Sequence, residues 1–237
     1  MRILSIVHQR DAGPGVFDEA ITAHGAEHDQ WLIAEDDSPP DEPYGYDAVM
    51  TFGGAMTCDQ ENKYAWLRPE KELLAELLHR ETPLLGVCLG SQLLAEAAGA
   101  PPERLATPEI GWHEVGVSLE AADDPLLAPL APRFTAFQWH SYAAPLPPDA
   151  TLLAESAASL AAFRIGDLAW GIQFHAEVTA EDAERWTADY RSDPDAVRIG
   201  LDPDALRKDT RAAIGSWNEL GRGLCGRFLD AAAGLAG

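Results

Sequence analysis

Missing from this chain is any unbroken run of about 18 apolar residues, the length that a membrane-crossing helix needs. The opening MRILSIVHQR also lacks the long apolar segment and small-residue cleavage site of a secretory leader, so a cytoplasmic location is expected. Cysteine is scarce. Cys58, Cys88 and Cys225 are neither closely paired, as in a zinc site, nor dense enough for a disulfide scaffold, so each must be weighed singly as a nucleophile. Positive charge is scarce too: lysine and arginine total 17 against 39 acidic residues, and the net charge of −22 repels nucleic acid and anionic membranes, neither of which is an expected partner. The acidic residues are spread along the whole chain, the pattern of a solvated surface. No H-E-x-x-H spacing and no G-x-x-x-x-G-K-[ST] phosphate loop occurs, so neither a metal nor an organic cofactor is expected.

The 237 residues, 46% of them hydrophobic, suffice for one α/β domain with a sizeable core. Residues 1–7 are nearly all apolar, the pattern of a parallel strand buried on both faces. Helical spacing over 16–24 stops at Gly25, and a second strand is expected over 29–34. An acidic, proline-containing loop fills 35–45. Another β-type run, 46–52, ends in Gly53-Gly54, and leucines at helical spacing over 69–80 sit behind Pro69, which suits a first helical turn. A short apolar run over 83–87 then leads into Cys88 and a helix over 91–98. This alternation predicts a three-layer, mostly parallel sheet flanked by helices. The texture becomes β-rich between Arg104 and Gln173, with strands expected over 112–119, 133–139, 151–154, 161–165 and 169–174. Helices are expected over 180–190 and 204–233, joined by an acidic linker at 191–204. Trp217, Leu220, Leu224 and Phe228 fall at helical spacing and are expected to cover one sheet face. Residues 1–190 are thus read as the main domain and 191–237 as a helical extension packed on it.

Gly86-Val87-Cys88-Leu89-Gly90 places a cysteine between two glycines where a strand meets a helix. A nucleophile on such a turn projects above the sheet, and small neighbours let chain and substrate approach closely. The helix N-terminus adds positive potential that favours a thiolate and an oxyanion. Without that frame, a cysteine at a strand end is more commonly a small buried hydrophobe. Thiol attack on an amide also needs a base and an orienting acid. His175 and Glu177, at the end of another expected strand, can supply both, Glu177 fixing the tautomer of the ring. A lone histidine would be a weak signal, since six others occur in the chain. Oxyanion donors are expected from the backbone at Gly53-Gly54, on the same sheet edge, and from the N–H of Leu89.

In this order and spacing, Phe52-Gly53-Gly54, then Gly86 through Gln92, then Phe174-His175-Ala176-Glu177, the chain resembles the class I (triad-type) glutamine amidotransferases, which have a flavodoxin-like fold. Pro108 to His113 and Phe137-Gln138-Trp139-His140-Ser141 further resemble the stand-alone, GMP synthase-like branch. The resemblance implies Cys88 as nucleophile, His175 as base, Glu177 as its partner, Gly54 and Leu89 as oxyanion donors, and Gly53, Gln92 and the His140-Ser141 backbone as contacts to the substrate. It implies glutamine hydrolysis through a γ-glutamyl thioester, with release of ammonia. The chain departs from the family pattern at Ala176, where proline is usual, at Tyr142, and at Ala55-Met56. The 60 residues after Glu177 hold no phosphate-cradling loop. The ammonia acceptor is therefore expected on a separate synthase chain, unless the protein acts alone on γ-glutamyl compounds. A non-catalytic binding module of the same fold is a third reading, and the C-terminal helices leave room for a homodimer.

Overall fold

A computed structural model describes residues 1–35 and 38–234. Its centre is one nine-stranded sheet. The first half is parallel and contains β1 (Arg2–Val7), β2 (Glu27–Leu32), β3 (Ala48–Thr51), β4 (Leu84–Val87) and β9 (Ala169–Ile172). The second half is antiparallel and contains β5 (Glu103–Val117), β6 (Arg133–Ala143), β7 (Thr151–Ser156) and β8 (Leu160–Ile165). The strand order is β2-β1-β3-β4-β9-β8-β7-β5-β6. The expected α/β sheet flanked by helices, with a β-rich second half, is therefore present; its parallel pairing spans β2 to β9, and the β-rich half, which begins at β9, is antiparallel.

Among the described residues, six α-helices flank the sheet: α1 (Val16–Ala23), α2 (Leu67–His79), α3 (Leu89–Ala97), α4 (Ala180–Ala188), α5 (Pro194–Arg198) and α6 (Pro203–Ala233). Phe17 and Ile21 of α1 join Trp217, Leu224 and Phe228 of α6 in one core, while leucines 74 and 77 of α2 and leucines 93 and 94 of α3 form the second, on the other face. With helices on both faces, β3 and β4 are buried at every position, which explains their uninterrupted apolar sequences.

Three segments differ most from the sequence expectation. The strand expected over 112–119 begins nine residues earlier, at Glu103, because its polar N-terminal half pairs with β6 across a register shift between Arg104 and Glu109. The expected linker 191–204 contains α5, whose first N–H groups are capped by the side chain of Asp193 ahead of Pro194, a local start signal in an otherwise acidic stretch. The loop over 35–45 holds a single 3-10 turn at Pro43–Gly45, while Asp36 and Asp37 lie outside the described residues.

Candidate active site

Because β1, β3, β4 and β9 are parallel, the residues that follow their C-terminal ends share one edge of the sheet. These residues are His8, Gly53-Gly54, Cys88 and His175. Helix α3 starts immediately after Cys88, leaving no linker, so Cys88 takes φ 52° and ψ −108°. Such a conformation costs a non-glycine residue about 1–3 kcal/mol and persists only where its surroundings enforce it. They do so here. The Cys88 N–H donates to the Ile172 carbonyl at 2.9 Å. A Cβ on Gly90 would lie 2.1 Å from the Thr51 carbonyl oxygen, and one on Gly86 would lie 2.7 Å from that of Gly90, so only glycine fits on either side of the turn.

His175 and Glu177 are both buried, and the Nδ1–H of the ring donates to Glu177 Oε1 at 2.7 Å. The ring and Cys88 converge on Gly53, with His175 Cε1 and Cys88 Cβ 3.0 and 3.7 Å from the point that a Cβ there would occupy. Burial works against a charged imidazole, but the Glu177 carboxylate, aided by Cys88, outweighs it and raises the His175 pKa to about 10. The indole of Trp186 packs edge-on against the ring, with centroids 4.9 Å apart.

The turn that carries His175 and Glu177 is gripped from several sides. The His175 N–H donates to the Phe137 carbonyl, the Val16 N–H to the Glu177 carbonyl, and the side chains of Trp217 and Asn218 to the carbonyls of His175 and Val178. Of the substrate-contact candidates, Gln92, His140 and Ser141 line a cavity of about 790 Å³ together with Cys88, His175, Gly54 and Leu89, whereas Gly53 does not line it. Among the described residues, the N–H groups of Gly54 and Leu89 have no protein acceptor. Gln92 uses its amide nitrogen within the protein, donating to the Tyr142 carbonyl at 2.8 Å and to Gln173 Oε1 at 3.2 Å. The His140 imidazole is buried, with Nε2 3.3 Å from Glu109 Oε2. Gly53 packs directly against the His175 ring.

The sequence profile of the glutamine amidotransferase class-I family matches residues 19–188. The chain belongs to this family. The general activity of the family is glutamine hydrolysis with transfer of the ammonia. A glutamine amidotransferase-like protein of Salmonella typhimurium, YfeJ, is 28% identical over 188 residues, which is 78% of this chain and 79% of that one. One of the subunits of the glutamine-hydrolysing GMP synthase of Halobacterium salinarum is 35% identical over 106 residues, 44% of this chain and 57% of the relative. Among solved structures, a glutamine amidotransferase from Thermotoga maritima superposes with a TM-score of 0.86 at 30% identity, covering 97% of this chain and 98% of its own.

Several contacts that build the cavity wall carried no sequence signal. Trp139 donates from its indole to Asp193 Oδ2, and Arg104 pairs with Asp195, so α5 and its capping residue form part of the cavity wall. Trp186 donates to the Asp11 carbonyl, closing another side. The family profile ends at 188, before α5 and α6. Trp139 falls within the Phe137–Ser141 resemblance and Trp217 is part of a helical face, but neither pattern gives their hydrogen bonds, and Trp186 offers only its aromatic character, which is common in any core. Among the described residues, no group of three or more His, Cys, Asp or Glu could hold a metal ion, and no helix is long and apolar enough to cross a membrane. Cys58 and Cys225 are buried, and burial pushes both thiols well above their ordinary pKa.

Proposed function

We propose that this chain hydrolyses the side-chain amide of glutamine through Cys88, His175 and Glu177, passing ammonia to a separate synthase chain. The observation that carries this reading is the strained turn of Cys88 facing a buried His175–Glu177 pair across one cavity. The Cys88 sulfur attacks the γ-carbonyl carbon, forming the C–S bond and an oxyanion that the N–H groups of Gly54 and Leu89 stabilise. The C–N bond then breaks, its nitrogen takes a proton from His175, and ammonia leaves. Water, giving a proton back to His175, attacks the thioester. The C–S bond breaks, releasing glutamate and restoring the thiolate. Glu177 holds the ring in one tautomer throughout. The backbone at His140-Ser141 and the carbonyl oxygen of Gln92 hold the glutamate portion.

Two of the relatives are named as subunits of synthases, one of GMP synthase and the other, HisH, of imidazole glycerol phosphate synthase, which supports an acceptor on another chain. Three unpaired cysteines suit a reducing cytoplasm. The packing of α6 against α1 supports reading 191–237 as part of the same domain. The test is labelling with 6-diazo-5-oxo-L-norleucine: one equivalent should attach to Cys88 in the folded protein, with none on Cys88→Ala. Absence of labelling together with absence of glutamine turnover would leave a binding module of the same fold.

The cavity favours a second reading of the substrate. At about 790 Å³ it lies towards the upper end of the roughly 300–1,000 Å³ range of sites that take drug-sized ligands, which is ample room for more than glutamine. On this reading a γ-glutamyl compound places its substituent between Arg104, Tyr142 and α5. Comparing kcat/KM for glutamine with that for a γ-glutamyl dipeptide in the isolated chain decides between the two.

A further inference from the structure

His8, the residue that follows β1, is fully buried beside the candidate site and takes no part in the chemistry proposed above. Its Nδ1 lies 3.1 Å from the Gly53 carbonyl oxygen. Its Nε2 lies 2.9 and 3.0 Å from the two oxygens of Glu70, itself fully buried and accepting a 2.7 Å hydrogen bond from the Thr51 hydroxyl. The ring stacks on Trp66 with centroids 5.0 Å apart and planes 12° from parallel. A carbonyl oxygen can only accept, so Nδ1 must carry a proton. The carboxylate at the other nitrogen favours a second one. Burial opposes that charge, and Glu70 outweighs it, so the His8 pKa is raised.

The consequence lies in the peptide plane. In a trans peptide the C=O and the following N–H point in opposite directions. A Gly53 carbonyl drawn towards His8 therefore turns the Gly54 N–H the other way, and Gly54 lines the cavity that holds Cys88. The preceding carbonyl, that of Phe52, is held as well, by the Gly90 N–H at 2.9 Å. Gly54 is closely confined, because a Cβ there would lie 2.5 Å from Met56 Sδ and 3.2 Å from His8 Cβ.

We infer that His8, backed by Glu70 and Thr51, is a positioning residue that locks the Gly53–Gly54 peptide with the Gly54 N–H aimed at the oxyanion, so that this donor is set before substrate binds. The inference rests on the proposed role of Cys88. It goes beyond it in assigning to a buried histidine outside the triad the orientation of the hole.

The test exploits a reaction that needs the thiolate but no oxyanion. His8→Leu and His8→Asn have nearly the same size, and only asparagine can return a donor to the Gly53 carbonyl. His8→Leu is expected to lose at least 30-fold in kcat for glutamine with KM within about 3-fold, approaching the roughly 10²–10³-fold cost of a lost oxyanion donor. Alkylation of Cys88 by iodoacetamide should stay within about 2-fold of wild type, and His8→Asn should recover at least 10-fold of the lost kcat. Unchanged kcat in folded His8→Leu, a parallel fall of kcat and alkylation rate, or failure of asparagine to rescue, overturns the inference. Should His8→Leu fail to fold, ¹⁵N NMR of the wild-type protein carries the test: a bare Nδ1 on His8 at pH 7 overturns it, and a protonated one coupled to the Gly53 carbonyl supports it. A wild-type protein that neither turns over glutamine nor labels with 6-diazo-5-oxo-L-norleucine sinks the catalytic reading instead, a result distinct from any of these.

Discussion

The indole Nε1–H of Trp217 donates a 2.8 Å hydrogen bond to the carbonyl oxygen of His175, tying the last long helix to the turn that carries the imidazole. Trp217 also packs against Phe134, Phe174 and Trp112. Helix α6 thus covers the sheet and also sets the position of the ring. Trp217→Phe keeps most of the aromatic contact and deletes the donor, which contributes about 1 kcal/mol. The expected outcome is a Tm lowered by roughly 2–4 °C in calorimetry. Glutaminase kcat should fall about ten-fold with KM little changed, because a small displacement of a catalytic group costs rate before binding.

The His175–Glu177 pair predicts the alkaline limb of the activity. The ring's pKa is raised from 6.5 to about 10, so the imidazolium persists through neutral pH. Its contribution to stability is complete below the ordinary histidine pKa and is lost as pH rises through about 10. Wild-type kcat/KM should therefore fall as pH passes about 10. In Glu177→Gln that limb should move towards neutrality, with kcat at pH 7 reduced by about 10²–10⁴-fold, the order of loss when a Ser-His-Asp triad loses its orienting acid. A pH–rate profile of both proteins checks this, and a limb that does not move refutes it.

Two glycines of α6 should behave oppositely. A Cβ on Gly221 would lie 2.0 Å from the Ala176 carbonyl oxygen, so Gly221→Ala must push the helix off the His175–Glu177 turn. The expected cost is at least about 2 kcal/mol in urea unfolding, as for overpacking against backbone, with loss of turnover. A Cβ on Gly226 meets nothing within 4 Å. Gly226→Ala should stabilise the protein by about 0.5–1 kcal/mol and leave activity intact.

Ala176 stands between the histidine and the glutamate, where the family commonly has proline. Its N–H has no acceptor among the described residues, and its φ is not positive. Proline would therefore cost no hydrogen bond. Ala176→Pro is expected to keep kcat within about 3-fold and to add about 0.4–1 kcal/mol of stability by restricting the unfolded chain. Urea melts paired with glutaminase assays measure both effects.

Much of the site was legible because its demands are local. Gly86 and Gly90 read as partners of Cys88 since a strand that turns straight into a helix needs small residues at the turn, and the geometry bears out that need. The apolar run of β1 read as a parallel strand buried on both faces, and those of β3 and β4 as further β-type or apolar runs, because helices cover both faces of the sheet. Helix α5 was hidden because its five residues sit in an acidic stretch, where one Asp-Pro pair is the only start signal. The engaged amide of Gln92 was hidden because its partners, Tyr142 and Gln173, are remote in sequence.

By itself, then, the sequence determined the kinds of element, their order along the chain and the residue types placed at the strand ends, since propensity, periodicity and turn chemistry act over a few neighbouring residues. Tertiary structure alone decided which strand ends became neighbours, and with them the pairing of His8 with Gly53 and Glu70 and of Trp217 with His175. Those contacts join residues 45, 62 and 42 positions apart. Contacts of that range form only when the whole sheet closes, so no local pattern announces them.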